Sequence, residues 1–323
     1  MTAVVQVTDP IYPLAEGPLW DAAHGRVIWV DIMKGLVLEG MLEGDRLTVV
    51  AEHRFDGYVG AVACAENGSL LVAETRGLTL LAPDGTRTAG PELICQDLIP
   101  PERPSRFNDG VCDAAGRFLV GTLSLTTLSL TTQSLQARPT AVPREERLWQ
   151  VGPEGATIID DDLGLSNGLA FSPDGSLFYS VDSIPGTVWV RDYDQTTGHT
   201  GERRVFLPAG DGTPDGLAVD AAGRLWIAIW DRAEIRCHSP AGDLLETIDV
   251  PAPHPTSVAF VGPDLDQLLI TTEQHAADAH DDAVIGRELS GSLFLCRPGV
   301  VGLAPHLWSG HPSPPPTTPG EQS

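Results

Sequence analysis

The feature that most constrains this chain is an internal repeat. Four segments share one form, a polar or small residue, a short apolar strand, a tight turn and a second apolar strand: "EGPLWDAAHGRVIWVDI", "NDGVCDAAGRFLVGTL", "NGLAFSPDGSLFYSVDS" and "DGLAVDAAGRLWIAIWD". Two looser copies read "GAVACAENGSLLVAET" and "TSVAFVGPDLDQLLITTE". Aligned on the turn, the leading residues are Glu16, Gly60, Asn108, Asn167, Asp215 and Thr256, spaced 44, 48, 59, 48 and 41 residues apart. A hairpin of this kind cannot bury its apolar face alone, and units at this period read as the blades of a propeller.

Further extended runs follow the hairpins, such as "GTVWVRDYD" and "RRVFLP" behind the fourth copy, and supply third and fourth strands. The expected fold is therefore all-β, a six-bladed β-propeller with four-stranded blades. The last unit lacks an outer strand, ending near "GSLFLCRPG" and "VGLAPHLW", while the N-terminal "AVVQVTD" has no partner of its own. Residues 3–8 are predicted to complete the sixth blade and close the ring. One domain spans residues 1–310, with an extended Ser/Thr-rich loop at about 124–146; the Pro-rich tail 311–323 cannot form a core and is expected to be disordered.

Composition agrees with many short elements: 34 Gly and 27 Pro accompany 42% hydrophobic residues, and long helical periodicity is scarce. The formal charge of −24 repels phosphate backbones and anionic lipid, so neither nucleic acid nor a membrane is an expected partner. Five scattered cysteines, Cys64, Cys95, Cys112, Cys237 and Cys296, sit mostly among apolar neighbours and read as reduced core residues. No basic region followed by an apolar run opens the chain, and the expected location is cytoplasmic. Asn67-Gly68 then reads as a tight turn rather than a glycosylation site.

The first strand of a propeller blade lines the central channel, so the six leading residues converge at one end of it. An isolated Asn or Asp beside Gly is an ordinary turn former. Recurrence at one register instead points to a shared polar cluster, here two carboxylates and two amide oxygens. Such hard ligands, without Cys or His, suit Ca²⁺, Mg²⁺ or Mn²⁺, and a carboxylate-rich set also admits Zn²⁺ or Fe²⁺.

The segments "LAEGPLWD", "RFNDGVCDAAGRF", "LSNGLAFSPDG" and "PDGLAVDAAGRLWIAIW" resemble the signature segments of the senescence marker protein (regucalcin), gluconolactonase and luciferin-regenerating enzyme family, over about residues 12–300. The resemblance implies a six-bladed propeller binding one divalent cation, Ca²⁺ first, and hydrolysing a sugar lactone. It places metal ligands at Glu16, Asn167 and Asp215, with Asp215 also the general base or water orienter. Substrate contacts fall on Arg106 and Asn108, with Asp109 as an additional candidate. The chain departs from the family after "GTL": near Thr126, where animal members carry an acidic residue, it runs into "SLTTLSLTT". Glu145 or Glu146 could replace that acid only if the loop folds back.

Other readings follow from the same residues. A propeller decides no function by its fold, so a non-catalytic calcium-binding or interaction module is the main alternative, followed by hydrolysis of another small ester or a phosphotriester. Rival chemistry has no motif: there is no G-x-S-x-G elbow and no H-E-x-x-H. His275, Asp278, His280, Asp281 and Asp282 follow no calcium-loop spacing and read as a solvated loop. His254, before Pro255, reads as a turn residue.

Overall fold

The structure is a computed structural model that describes residues 2–9, 11–88, 97–126, 143–274 and 286–309. Within them, six four-stranded antiparallel sheets form the blades. Their inner strands are Ala15–Asp21, Val59–Cys64, Ser105–Cys112, Ser166–Phe171, Pro214–Val219 and Pro255–Val261. The N-terminal strand Val4–Gln6 pairs with Phe294–Cys296 and completes the sixth blade, as expected from the orphaned chain start. Most of the long Ser/Thr-rich loop, the 275–282 cluster, Cys95 and the 311–323 tail lie outside the described residues.

The turn motif that revealed the repeat has a visible chemical cause. In the "DAAGR" turns, Asp113 Oδ1 accepts the amides of Ala115 and Arg117, and Asp220 Oδ1 those of Ala222 and Arg224. The second oxygen of each takes the Arg Nε at 2.7 and 2.6 Å. One side chain thus satisfies the turn and ties it to the next strand. The apolar faces pack between neighbouring blades: Ala61 and Leu71 of blade two meet Phe107 and Phe118 of blade three, and Trp226 of blade five meets Phe260 of blade six edge-on. Cys64, Cys112, Cys237 and Cys296 are buried and unpaired, as small core residues. Asn67-Gly68 is the turn between the first two strands of blade two, with Asn67 Oδ1 accepting the Ser69 amide. His254 stands in a turn with a left-handed backbone, φ 58°.

All six inner strands break register at the leading residue, between Glu16 and Leu19, Val59 and Ala61, Phe107 and Gly110, Asn167 and Leu169, Pro214 and Leu217, and Pro255 and Ser257. A bulge re-aims one side chain out of the strand's alternation. Here it turns the leading residue toward the channel mouth.

The stretch "VGLAPHLW", near which the last unit ends, lies outside the six blades. It crosses the opposite end of the channel as a strap, from the Ala221 amide bonded to Val301 O to the Trp308 amide bonded to Cys64 O. Under it lies a cavity of about 230 Å³, lined largely by apolar side chains including Trp20, Phe171, Leu217, Phe260 and Leu303. Among the described residues, no helix is long and apolar enough to cross a membrane.

Candidate active site

Glu16, Arg106, Asn108, Asp109, Asn167 and Asp215 are all buried at the bulged end of the channel, exposing between 1% and 8% of their surface. Of the other two leading residues, Thr256 is occupied in structure: its Oγ1 donates to Ala15 O at 2.6 Å and ties the last blade to the first. Gly60 is there for space. A Cβ at Gly60 would lie 2.2 Å from Phe107 O and 2.8 Å from the Asn108 amide, so any side chain would displace the neighbouring ring residue.

The orientation of Asn167 is set by its neighbours. Its Nδ2 donates to Ser183 Oγ at 3.2 Å, and Ser183 in turn donates to Pro214 O at 2.7 Å. Asn167 Oδ1 is left facing the channel without a hydrogen-bond partner, and so is Asp215 Oδ1. Two orphaned buried acceptors are costly unless something electropositive lies between them. Glu16 Oε2 takes the Gly17 amide at 2.9 Å.

Arg106 Nη1 donates to Phe107 O at 2.8 Å and Asn108 Oδ1 at 2.7 Å, and Asn108 Nδ2 reaches across to Ser166 O at 2.9 Å. Asn108 therefore positions the guanidinium and spends both ends of its amide doing so. Arg106 Nε has no hydrogen-bond partner among the described residues. Its guanidinium lies 5.8 Å from the centre of the Tyr58 ring. Asp109 Oδ1 accepts the Gly110 amide at 2.7 Å.

The carboxylates are held out of their ordinary range. Burial, with Asp109 nearby, pushes Glu16 up to about 8, and burial pushes Asp109 up to about 6. Asp215 is raised well above the carboxylate range by burial and by the charges of Glu16, Asp109 and Glu273. Burial lowers Arg106 to about 10. Three buried acids, Glu16, Asp109 and Asp215, raise one another with the half-buried Glu273 nearby, an arrangement that asks for positive charge.

A divalent cation fits this donor set. Two carboxylates and an amide oxygen are hard ligands, two of their oxygens lack partners, and the mutual repulsion is what a cation relieves. Among the described residues no group of three His, Cys, Asp or Glu side chains forms a metal cluster; the set relies on the amide of Asn167. Glu146 does not enter this volume. It is buried within blade three, where it accepts from Ser105 Oγ at 3.0 Å, and Glu145 is exposed.

Three side chains at the mouth escaped the sequence reading: Ser183, Trp230 and Glu273. Each stands one residue past the partner of the residue preceding the ring position, in blades four, five and six. The equivalent residues in the other blades are Ile32, Thr75 and Leu123, so the register carries no common residue type that a repeat search could find.

A six-bladed propeller whose inner strands deliver acids and amides to one mouth of the channel belongs to the class of propellers with a polar, cation-suited centre. The comparisons name the branch. Residues 14–274 match the family model described as SMP-30/Gluconolactonase/LRE-like region, and the chain belongs to that family. It is 31% identical over 318 residues to the pentonolactonase XacC of Haloferax volcanii, covering 93% of this chain and 96% of that one. It is 33% identical over 300 residues to the 6-deoxy-6-sulfogluconolactonase of Pseudomonas putida, covering 92% and 95%. The crystal structure of a calcium-binding protein, regucalcin, from Agrobacterium tumefaciens superposes with a TM-score of 0.81 at 26% identity, covering 95% of this chain and 97% of that one.

Proposed function

We propose that this protein is a divalent-cation-dependent hydrolase that opens a sugar lactone. The observation that carries the reading is the pair of partnerless buried oxygens, Asn167 Oδ1 and Asp215 Oδ1, in a volume shared with Glu16 and Arg106. Membership in a family whose relatives are named lactonases supports the substrate class.

Glu16, Asn167 and Asp215 would hold the cation, which when bound supplies Lewis acidity toward the lactone carbonyl and toward water. The chain's own residues do the rest. Arg106, braced by Asn108, has an unused Nε–H that would donate to a substrate oxygen, and Asp109 would accept from a hydroxyl. Asp215 takes the proton of the attacking water. The new C–O bond forms as the carbonyl π bond opens, the ring C–O bond breaks when the carbonyl re-forms, the proton passes to the departing ring oxygen, and the product is a hydroxy acid that ionises to an aldonate. Burial around the mouth excludes bulk water and strengthens each of these contacts.

The test is proton release from gluconolactone and pentonolactones by chelator-stripped protein, with Ca²⁺, Mg²⁺, Mn²⁺, Zn²⁺ or Fe²⁺ restored singly and spontaneous opening subtracted. Cation-dependent turnover is expected, and Asp215→Ala should lower it by at least about a hundredfold with the circular dichroism spectrum unchanged. Tight cation binding with no turnover on any lactone would instead identify a non-catalytic calcium-binding propeller. Activity retained in Asp215→Ala would remove that residue from the mechanism.

A further inference from the structure

Above the ring of leading residues lies a second tier, made by Ile32, Thr75, Leu123, Ser183, Trp230 and Glu273 at equivalent registers of the six blades. In four blades the backbone amide of this residue donates to the carbonyl of the segment leading into the inner strand: Ile32 to Leu14, Ser183 to Leu165, Trp230 to Thr213 and Glu273 to His254. In blade four the main chain is held on both sides, because Ser183 O also accepts the Gly186 amide at 3.1 Å. The residue exposes only 4% of its surface, and its side chain lies between the strands Ser166–Phe171 and Pro214–Val219, which carry Asn167 and Asp215.

Proton counting decides what the Ser183 hydroxyl does there. A carbonyl oxygen has no hydrogen to give, so in the 2.7 Å contact with Pro214 O the serine is the donor, and its one proton is committed. Toward Asn167, 3.2 Å away, Oγ can then only accept. The amide has to present Nδ2, and Oδ1 is turned the other way, into the channel, where it has no hydrogen-bond partner. The reverse orientation would set two acceptors against each other at Ser183 and aim an NH₂ group at a cation held by the ring. The amide is nearly symmetrical in shape, so packing alone does not choose between the two. The other end of the contact matters as well. The Pro214 carbonyl belongs to the peptide unit whose nitrogen is that of Asp215, and Pro214 brings no N–H of its own to the strand. One hydroxyl thus holds the side chain of Asn167 and the main chain leading into Asp215, across the join between blades four and five.

We infer that Ser183 is a positioning residue for the cation site: by donating to Pro214 O, its hydroxyl compels Asn167 to offer oxygen rather than nitrogen to the channel. The inference rests on the cation-binding part of the proposed function. Without the hydroxyl, the amide loses the acceptor that orders it and is free to turn, so a cation meets an NH₂ group in a share of the molecules. Ser183 touches no reacting atom in this role. Its loss is therefore read directly in cation affinity, and in turnover only through that affinity.

Calorimetric titration of chelator-stripped protein with Ca²⁺ tests this without any substrate. Ser183→Ala should raise the Kd about ten- to a hundredfold, as removal of a group that orients a metal ligand does. The decisive comparison is made in an Asn167→Asp background, which keeps an oxygen ligand in place but has two equivalent oxygens, so no orientation remains to be chosen. There Ser183→Ala should change the Kd little, and the double-mutant cycle should be strongly non-additive. An equal loss in both backgrounds would make Ser183 a brace between blades and nothing more, which overturns the inference, as does an unchanged Kd in Ser183→Ala. Ser183→Cys, of similar shape but with a weakly hydrogen-bonding thiol, takes the place of Ser183→Ala in the same cycle should the alanine variant not fold. Wild type that binds none of Ca²⁺, Mg²⁺, Mn²⁺, Zn²⁺ or Fe²⁺ overturns the cation-dependent reading and this inference with it.

Discussion

At the scale of single residues, the glycines after two of the ring residues, Asn167 and Asp215, matter as much as the ring residues. A Cβ at Gly168 would lie 2.5 Å from Asp215 O and 2.9 Å from Val181 Cγ2, and one at Gly216 would lie 2.2 Å from Ser257 Oγ. Gly168 thus lets blade five carry Asp215 close to Asn167. Gly168→Ala should displace Asp215, cost about 1–3 kcal/mol by overpacking and weaken Ca²⁺ binding about tenfold. A calcium titration beside a thermal melt checks both, and unchanged affinity would show that the ring tolerates the shift. The "NG" and "DG" pairs that marked the repeat are accordingly both turn-like in sequence and packing devices in space. The first ring was legible because its acids and amides recur at one register. The second tier was not, because Ile, Thr, Leu, Ser, Trp and Glu share no chemistry, and Glu273 is hidden in the polar run "TTEQ".

At the scale of elements, the blades were readable from alternation and turn chemistry, and the closure from an N-terminal strand left without a partner. Val4–Gln6 makes three paired residues with Cys296, Leu295 and Phe294, and Thr8 Oγ1 accepts the Leu293 amide at 3.0 Å. Deleting residues 1–8 should expose the edge of Phe294–Cys296 and open the seam between blades six and one. The expected result is a lower melting temperature and faster exchange of the amides of Phe294–Cys296, while blades three and four stay protected. Uniform loss of protection would show that the ring unfolds as one unit. The strap formed by "VGLAPHLW" over the far mouth was not legible in the sequence. Its partners, Asp220 and Ala65, lie in other blades and cannot be inferred from local pattern.

At the scale of the whole molecule, stability and cation binding should be linked through the buried acids. Glu16 at about 8 and Asp109 at about 6 compare with ordinary values of 4.5 and 3.8, so between about pH 4 and 8 the cation-free folded state holds protons that the unfolded chain has released. Stability from these groups is therefore fully present below the unfolded values and is lost as pH rises through about 6 and then about 8, on the order of a few kcal/mol in all. A cation held by Glu16 and Asp215 requires them ionised, so its affinity should rise over the interval in which the apoprotein weakens. The chain's formal charge of −24, reckoned with neutral histidines, attracts cations and adds self-repulsion. Melting curves in chelator should fall from pH 5 to pH 8.5, and the rise on adding Ca²⁺ should grow across the same range. Asp215→Asn, which removes one of these raised acids, should flatten both trends. Parallel curves with and without Ca²⁺ in the wild type would mean that no cation is held by these acids, and the site would have to be explained by Arg106 and protonated carboxyls alone.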